Sequence, residues 1–121
     1  MLYSFVLYKN IKDLSNVKIF EEKSEDFFKK ITPNLIEQMN IGWVIIDGDH
    51  SYDAVKLDFE LFINVNSSQY IVLHDICSDS CPGVVKLWNE IKNNTNYSTV
   101  EFCDQYESVK GNYLGLGIIK K

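Results

Sequence analysis

The chain has 121 residues, of which 45% are hydrophobic, so it has the length of one domain and enough apolar side chain for a core. Its net charge of −5 argues against a protein that binds the phosphate backbone of nucleic acids. No apolar run reaches the roughly 20 residues of a membrane span, and the N-terminus lacks the basic start of a signal peptide. The expected location is the cytoplasm.

The first 40 residues predict two short strands and two helical segments. MLYSFVLY, residues 1–8, is typical of a strand, and residues 16–20 show a second, alternating strand pattern. Residues 23–31 predict a helix with Ser24 as its N-cap and carboxylates in its first turn, where the positive end of the helix dipole stabilises them. Pro33 interrupts this helix, and the residues after it predict one more helical turn.

The following segments predict strands and helices in alternation. Residues 43–46 are a continuous apolar run, as expected for a parallel strand buried on both faces. A helix with a wide apolar face should follow, because apolar residues recur at helical spacing. Residues 70–73 repeat the pattern of the buried strand, and a further helix begins with Pro82 in its first turn. Residues 97–103 and 112–121 predict two final strands that pair antiparallel.

The order of these elements, β β α β α β α β β, predicts an α/β fold in which helices cover both faces of a mostly parallel sheet. We therefore expect a three-layer sandwich with right-handed crossovers. The last pair of strands would add an antiparallel edge. The sequence has no internal repeat and no linker, so residues 1–121 are predicted to form a single domain.

The three cysteines predict free thiols. Their number is odd, and their spacing shows no disulfide framework. Cys77 and Cys81 are four residues apart and follow His74, which raises the alternative of a metal site. A structural zinc site needs four thiolate or imidazole ligands. Because the sequence has no second close pair, free thiols in a loop are the stronger interpretation.

Two of the predicted strands end in polar clusters. The sequence DGDH, residues 47–50, follows one strand, and HD, residues 74–75, ends the next. Ligands of open α/β sheets bind beyond the carboxyl ends of the strands, so the clusters should meet if these strands are neighbours. The carboxylates of Asp47, Asp49 and Asp75 would then offer oxygen ligands to a hard cation such as Mg²⁺.

Other roles are open to the same side chains. Asp49 or His50 would suit a general base beside a substrate hydroxyl, whereas Asp49 or Ser51 would equally cap the helix that follows. Tyr52 is more often a core residue than a ligand contact, and His74 is compatible with a hydrogen-bonded core histidine. The coincidence of two polar clusters at two strand ends favours a functional site over these alternatives.

Three segments of the chain resemble class I S-adenosylmethionine-dependent methyltransferases. They are IDGDHSYDAVKLD (46–58), IVLHDI (71–76) and PGVVKLWNEI (82–91). The most similar subgroup has the pattern I-D-G-D-H-S-Y followed by a strand that ends in L-H-D. Similar carboxylates occur in metal-dependent sugar O-methyltransferases and in the proteins called cephalosporin hydroxylases. The resemblance runs in order over residues 16–121.

The resemblance implies a Rossmann-like fold with a seven-stranded sheet whose last strand is antiparallel. It also implies that Asp47 and Asp75 bind a divalent metal, Mg²⁺, which would orient a substrate hydroxyl and lower its pKa. Asp49 matches the acidic position beside the metal and is the candidate general base. His50 and His74 line the same rim, and we assign the catalytic role to these two histidines together with Asp49.

The sequence departs from that family in the part that binds the methyl donor. Relatives hold S-adenosylmethionine mainly on a glycine-rich turn after their first strand, whereas this chain has no glycine before Gly42. Glu22 or Ser24 would approach the adenine, and Asp47 would also contact the cofactor. The chain therefore resembles the C-terminal two-thirds of a methyltransferase, a truncated domain of that fold.

Two functions of different classes follow. The first is a methyltransferase that acts on a small hydroxylated substrate, with or without Mg²⁺. The second is a non-catalytic domain of the same fold that serves as a binding module or an oligomeric scaffold. Loss of the N-terminal half would expose apolar surface, which predicts a homodimer. A metal-dependent hydrolase is a third and weaker hypothesis, because the site has no obvious nucleophile.

Overall fold

The computed structural model describes residues 15–104 and 114–121. The predicted strand at residues 1–8 lies outside these ranges. No helix within them is both long and apolar enough to cross a membrane. In chain order the described elements are α1 (Ser24–Lys30), α2 (Pro33–Gln38), β1 (Trp43–Ile46), α3 (Tyr52–Ile63), β2 (Tyr70–His74), α4 (Pro82–Lys92), β3 (Ser98–Phe102) and β4 (Leu116–Lys120).

The four strands form one mixed sheet in the order β1-β2-β4-β3. Strands β1 and β2 are parallel, and β4 runs antiparallel to both of its neighbours, β2 and β3. The α/β class and the antiparallel pairing of the last two strands are confirmed. As expected, β3 and β4 form an antiparallel edge, with β4 between β2 and β3, whereas the expectation of a mostly parallel sheet is wrong for the described strands. Parallel pairing is consequently limited, among the described strands, to β1 with β2.

Residues 16–20, which were predicted to form a strand, have no strand partner within the described ranges. Ile19 and Phe20 are exposed, and the Phe20 ring packs on Phe27 of α1 with 4.7 Å between the ring centroids. An alternating pattern of five residues is compatible with such a local contact as well as with a strand. The predicted cap of α1 also moves by one residue, since the helix begins at Ser24 and its N-cap is Lys23.

Helices α3 and α4 pack against one face of the sheet, which we call the helix face. The strand side chains on this face are almost fully buried, with Ile71, Leu73 and Ile119 at 0% exposure. Gly117 in β4 allows α4 to approach the sheet, because a Cβ there would lie 2.6 Å from the ring of Trp88. The two helices contribute to this core Val55, Phe59, Val84, Leu87, Trp88 and Ile91.

The opposite side of the sheet is accessible on β1 and β3, whereas Val72 of β2 is only 8% exposed. Trp43, Ile45, Val100 and Phe102 are 59%, 71%, 55% and 43% exposed, and these four residues define what we call the open face. Trp43 stacks on Tyr70 across the β1–β2 pair, with 4.4 Å between the ring centroids. The expectation that β1 is buried on both faces is therefore wrong, since its residues alternate between exposed and buried.

Cys77 and Cys103 form a disulfide, so the prediction of free thiols is wrong for these two residues. They follow β2 and β3, which flank β4 on either side, and they meet beside Gly115 at the start of β4. Their separation of 26 residues hides this proximity in the sequence. Cys81 is a free and buried thiol, as predicted. Disulfides persist mainly in oxidising compartments, so the cytoplasmic location stays a prediction that this bond does not favour.

Candidate metal centre

The predicted convergence of the two polar clusters is found at the carboxyl ends of β1 and β2. The parallel register pairs Ile46 with Leu73, so the next residues along each strand, Asp47 and His74, lie side by side. Asp47 Oδ1 is 3.4 Å from His74 Nδ1. The strands thus bring together side chains that are 27 positions apart in sequence because both strands end at the same edge of the sheet.

Asp75 occupies an unusual backbone position between the sheet and the following loop. It has a φ of +65°, in the left-handed region that non-glycine residues adopt rarely, and its side chain is 1% exposed. Its backbone N–H donates to the Gly115 carbonyl oxygen at 2.9 Å, which fixes the turn at the end of β2. Backbone conformations of this kind cost about 1–3 kcal/mol and are concentrated at functional sites.

Each carboxylate oxygen of Asp75 faces one histidine, and these are the two histidines of the chain. Asp75 Oδ1 is 2.9 Å from His74 Nδ1, and Asp75 Oδ2 is 3.0 Å from His50 Nε2. Despite the short distance, His74 Nδ1 and Asp75 Oδ1 make no hydrogen bond within the described ranges, and both atoms are buried. Buried polar atoms usually have a binding partner. The contact between these two atoms therefore suggests a further partner for both of them.

The spacing of these atoms suits a divalent cation. Asp47, His74 and Asp75 each offer one ligand atom, and the three atoms lie within 4.8 Å of one another. Two ligands that are each about 2.1 Å from one ion lie about 3.0 Å apart at octahedral angles and about 3.4 Å apart at tetrahedral angles. The observed separations of 2.9 and 3.4 Å are close to this range. The candidate ligand group therefore includes both residues predicted to bind metal, Asp47 and Asp75, together with His74.

Asp49, the predicted third oxygen ligand and general base, lies apart from this group. Its Oδ1 accepts a hydrogen bond from the Ser51 backbone N–H at 2.8 Å, where the chain enters α3. That hydrogen bond is the main cause of a lowered pKa for the Asp49 carboxyl. A lowered pKa makes the carboxylate a weaker proton acceptor. This hydrogen bond closes a turn immediately before α3. The N-cap of α3 is Ser51, whose side chain makes no capping hydrogen bond within the described residues.

The residues predicted to contact the cofactor are divided between two places. Glu22 and Ser24 line a cleft of about 330 Å³ together with Asp49 and Asp58. Glu22 also forms an ion pair with Lys30 of α1. The third predicted cofactor residue, Asp47, belongs instead to the metal group at the ends of β1 and β2.

Sequence reasoning missed a second group beside the first, formed by His50, Asp75 and Cys81. One ligand atom from each of these residues lies within 4.8 Å of the other two. Cys81 is 0% exposed and precedes α4 as its N-cap residue. Gly83 in the first turn of α4 makes the approach possible, because a Cβ there would lie 2.5 Å from the His50 carbonyl oxygen. The Pro-Gly pair at the start of α4 was the available signal for this close contact.

Tyr52 links the same region to α4 and is only half-buried. Its hydroxyl donates a hydrogen bond to Glu90 at 2.7 Å, and the ammonium of Lys86 lies 3.9 Å from the ring centroid. A cation over an aromatic ring is stabilised by the ring quadrupole. Tyr52 therefore helps to hold α3 against α4, and it packs at the margin of the core as a partly buried residue.

Comparison with known proteins adds no relative to this description. No protein-family model, curated protein or solved structure matches the chain. The side chains at the ends of β1 and β2 are therefore the main indication of function in the described residues.

Proposed function

We propose that the chain is a metal-dependent, methyltransferase-like domain that binds a divalent cation through Asp47, His74 and Asp75. The proposal depends on one observation: His74 Nδ1 and Asp75 Oδ1 are buried, 2.9 Å apart and without a hydrogen bond within the described ranges. A cation between them would satisfy both atoms and relieve the cost of burying them. The antiparallel C-terminal strand and the polar ends of the parallel strands are further support from the resemblance to methyltransferases.

The reaction proposed is methyl transfer from S-adenosylmethionine to a small hydroxylated substrate. A bound cation such as Mg²⁺ would lower the pKa of a coordinated hydroxyl group. Asp47 is the exposed member of the group, with 55% of its side chain accessible, so the substrate would approach from its side. The cleft with Glu22 and Ser24 is the proposed position of the methyl donor, because carboxylate and hydroxyl oxygens accept hydrogen bonds from ribose hydroxyls. The finer fold, a Rossmann-like methyltransferase domain, belongs to the same proposal.

The metal is tested by calorimetric titration of the chain with Mg²⁺ and with Mn²⁺. We expect binding of at least one of the two ions, with Mn²⁺ tighter because one ligand is an imidazole nitrogen. Asp75→Asn should abolish binding and Asp47→Asn should weaken it at least tenfold. Asp53→Asn is the matched control, since Asp53 is an exposed carboxylate in the first turn of α3. Equal affinity in the wild type and Asp75→Asn, or no binding of either ion, would refute the proposed cation site.

The methyl donor needs a separate titration. Heat from micromolar S-adenosylmethionine would support the methyltransferase assignment, and this heat should decrease in Glu22→Gln. The absence of heat at millimolar S-adenosylmethionine would exclude the assignment for this chain while leaving the metal result unaffected.

The open face favours a second candidate function, a non-catalytic scaffold that forms a homodimer. Trp43 and Ile45 are more than half exposed although both are large and apolar, and exposed apolar patches commonly mark interaction surfaces. Sedimentation velocity should then show a dimer for the wild type and a monomer for Ile45→Asp. A wild-type chain that remains monomeric at high micromolar concentration would contradict the scaffold.

A further inference from the structure

We infer that Asp75 bridges two cation positions and that the second position, formed by His50, Asp75 and Cys81, includes a cysteine thiolate. The inference rests on the proposed cation site at Asp47, His74 and Asp75, and it adds a neighbouring site with different ligand chemistry. The sequence raised a metal site for Cys81 only together with His74 and Cys77, and the combination of His50, Asp75 and Cys81 was not predicted.

The two oxygens of the Asp75 carboxylate face different histidines. Its Oδ1 lies 2.9 Å from His74 Nδ1, and its Oδ2 lies 3.0 Å from His50 Nε2. Each oxygen is therefore close to a different group of possible ligands. The two groups of ligand atoms share only Asp75. A carboxylate that presents one oxygen to each of two ligand groups has the geometry of a bridge, as in two-metal sites whose ions are about 3.5–4 Å apart.

Cys81 is buried next to two other possible metal ligands. Its side chain is 0% exposed, and a buried thiol on its own would be an ordinary core residue. Here the thiol shares its surroundings with an imidazole nitrogen and a carboxylate oxygen, all three within 4.8 Å. Its partner Asp75 is also buried, at 1% exposure. A buried carboxylate needs compensating charge or hydrogen bonds, and a cation shared with the thiol would provide charge.

The backbone around Cys81 and His50 holds these possible ligands close together. The Cys81 N–H donates to the Ser78 carbonyl oxygen at 3.0 Å, which closes the turn before α4. Gly83, two residues later, lies against the His50 carbonyl oxygen, where a Cβ would come within 2.5 Å. The segments that carry His50 and Cys81 are therefore in direct backbone contact. Ligands held by rigid neighbouring segments are preorganised for binding.

The ligand types determine which ion would bind. Thiolate, imidazole and carboxylate together favour Zn²⁺ or Co²⁺, whereas Mg²⁺ prefers a set of oxygen ligands. Three protein ligands also leave a coordination position for water or substrate, as in catalytic rather than structural zinc sites. The second position would thus select a softer ion than the first.

Titration of the metal-free chain with Co²⁺, followed by absorption spectroscopy, tests this inference. We expect two equivalents of Co²⁺, one of which produces a thiolate-to-cobalt charge-transfer band in the near ultraviolet. Cys81→Ser should lose this band and one equivalent while retaining the other. The double variant Cys77→Ser/Cys103→Ser is the matched control, and it should keep the band because those sulfurs are joined in the disulfide of the wild type.

X-ray absorption spectroscopy of the zinc-loaded wild type gives a readout that needs no variant. A sulfur neighbour at about 2.3 Å from zinc is expected. One bound equivalent of Co²⁺ without a thiolate band, or zinc with only nitrogen and oxygen neighbours, would overturn the second position and leave the first intact. If neither Co²⁺ nor Zn²⁺ nor Mn²⁺ binds, both the inference and the proposed cation site fail.

Discussion

The helix face and the open face of the sheet are built from neighbouring residues of the same strands, yet they differ in exposure. Val44 and Ile46 in β1 are each 6% exposed, whereas Trp43 and Ile45 between and beside them are 59% and 71% exposed. Side chains alternate between the two sides of a strand, so a single residue step separates core from surface. Both sets are apolar, which means that composition alone does not identify the buried side.

The candidate metal centre connects the two faces. By alternation, Asp47 continues the side of Ile45 at the end of β1, and His74 continues the open side of β2. Asp75 follows with a positive φ and is buried at 1% exposure, next to the core side chains that α4 covers. The proposed cation site therefore lies where an accessible edge of the sheet meets the buried interior, which would suit a site that binds both an ion and a substrate.

Truncating one isoleucine on each face gives the largest expected effect. Ile71→Ala on the helix face should lower the free energy of unfolding by about 3 kcal/mol, because it leaves a cavity in a fully buried site. Ile45→Ala on the open face should cost less than about 0.5 kcal/mol if this face meets solvent. Urea unfolding at equal protein concentration measures both values. A cost for Ile45→Ala close to that of Ile71→Ala would mean that the open face is covered in solution.

Adding one methyl group at a glycine gives the next largest effect. Gly83→Ala places a Cβ 2.5 Å from the His50 carbonyl oxygen, so α4 and the segment before α3 must separate. We expect a loss of about 2 kcal/mol in the free energy of unfolding, as for other overpacked sites. The affinity for Co²⁺ should fall at the same time, because His50 and Cys81 would no longer be held together.

Gly48→Ala is the control for Gly83→Ala. A Cβ on Gly48 would lie 3.8 Å from Asp58 Oδ2, which is ordinary van der Waals contact, and this glycine is also close to the polar cluster. We therefore expect little change in stability or in metal affinity. Equal losses in the two variants would show that the close contact of Gly83 is not what positions His50.

The helices and strands around the candidate site could be predicted from the sequence alone. The apolar run of β1, the periodicity of α3 and the first-turn Pro82 of α4 are local signals, and the structure confirms the elements that they predict. The meeting of Asp47 with Asp75 was also predictable, because parallel neighbouring strands end at one edge. These inferences need only local pattern and the general topology of α/β sheets.

The remaining features depend on contacts that are distant in sequence. Entry of β4 between β2 and β3 brings Cys77 to Cys103 across 26 residues, and no local pattern encodes that pairing. The role of Cys81 depends equally on α4 packing against the segment of His50. Residues 16–20 illustrate a different difficulty. Their alternating pattern predicted a strand, but Phe20 packs locally on Phe27 of α1.

The smallest expected effect concerns Glu101, which is on the helix side of the edge strand β3. Its register partner is Gly117, and its Oε2 accepts hydrogen bonds from Trp88 Nε1 at 2.7 Å and from Lys92 Nζ at 2.9 Å. These hydrogen bonds, that from Trp88 first, lower the pKa of the Glu101 carboxyl below its ordinary value of 4.5. The charged form is therefore the one that stabilises the fold.

Glu101→Gln should lower the free energy of unfolding at pH 7 by about 1 kcal/mol, a modest amount because the carboxylate is partly exposed. The sign follows from the lowered pKa. The contribution of Glu101 is complete above its ordinary value of 4.5 and is lost as the pH falls through the lower pKa of the folded state. Urea unfolding of both proteins between pH 7 and pH 3 should show the difference shrinking over the acidic end.

Tryptophan fluorescence distinguishes the effect of Glu101→Gln near Trp88 from any change at Trp43 on the open face. The chain has two tryptophans, so a Trp43→Phe background leaves Trp88 as the reporter on the helix face. In that background Glu101→Gln should change the Trp88 emission at pH 7, and the difference from the parent should decrease as the pH is lowered toward 3. Glu21→Gln, at an exposed position before α1, is the matched control and should change neither stability nor emission. A difference between Glu101→Gln and its parent that stays constant with pH would show that the carboxylate charge does not hold the edge strand against α4.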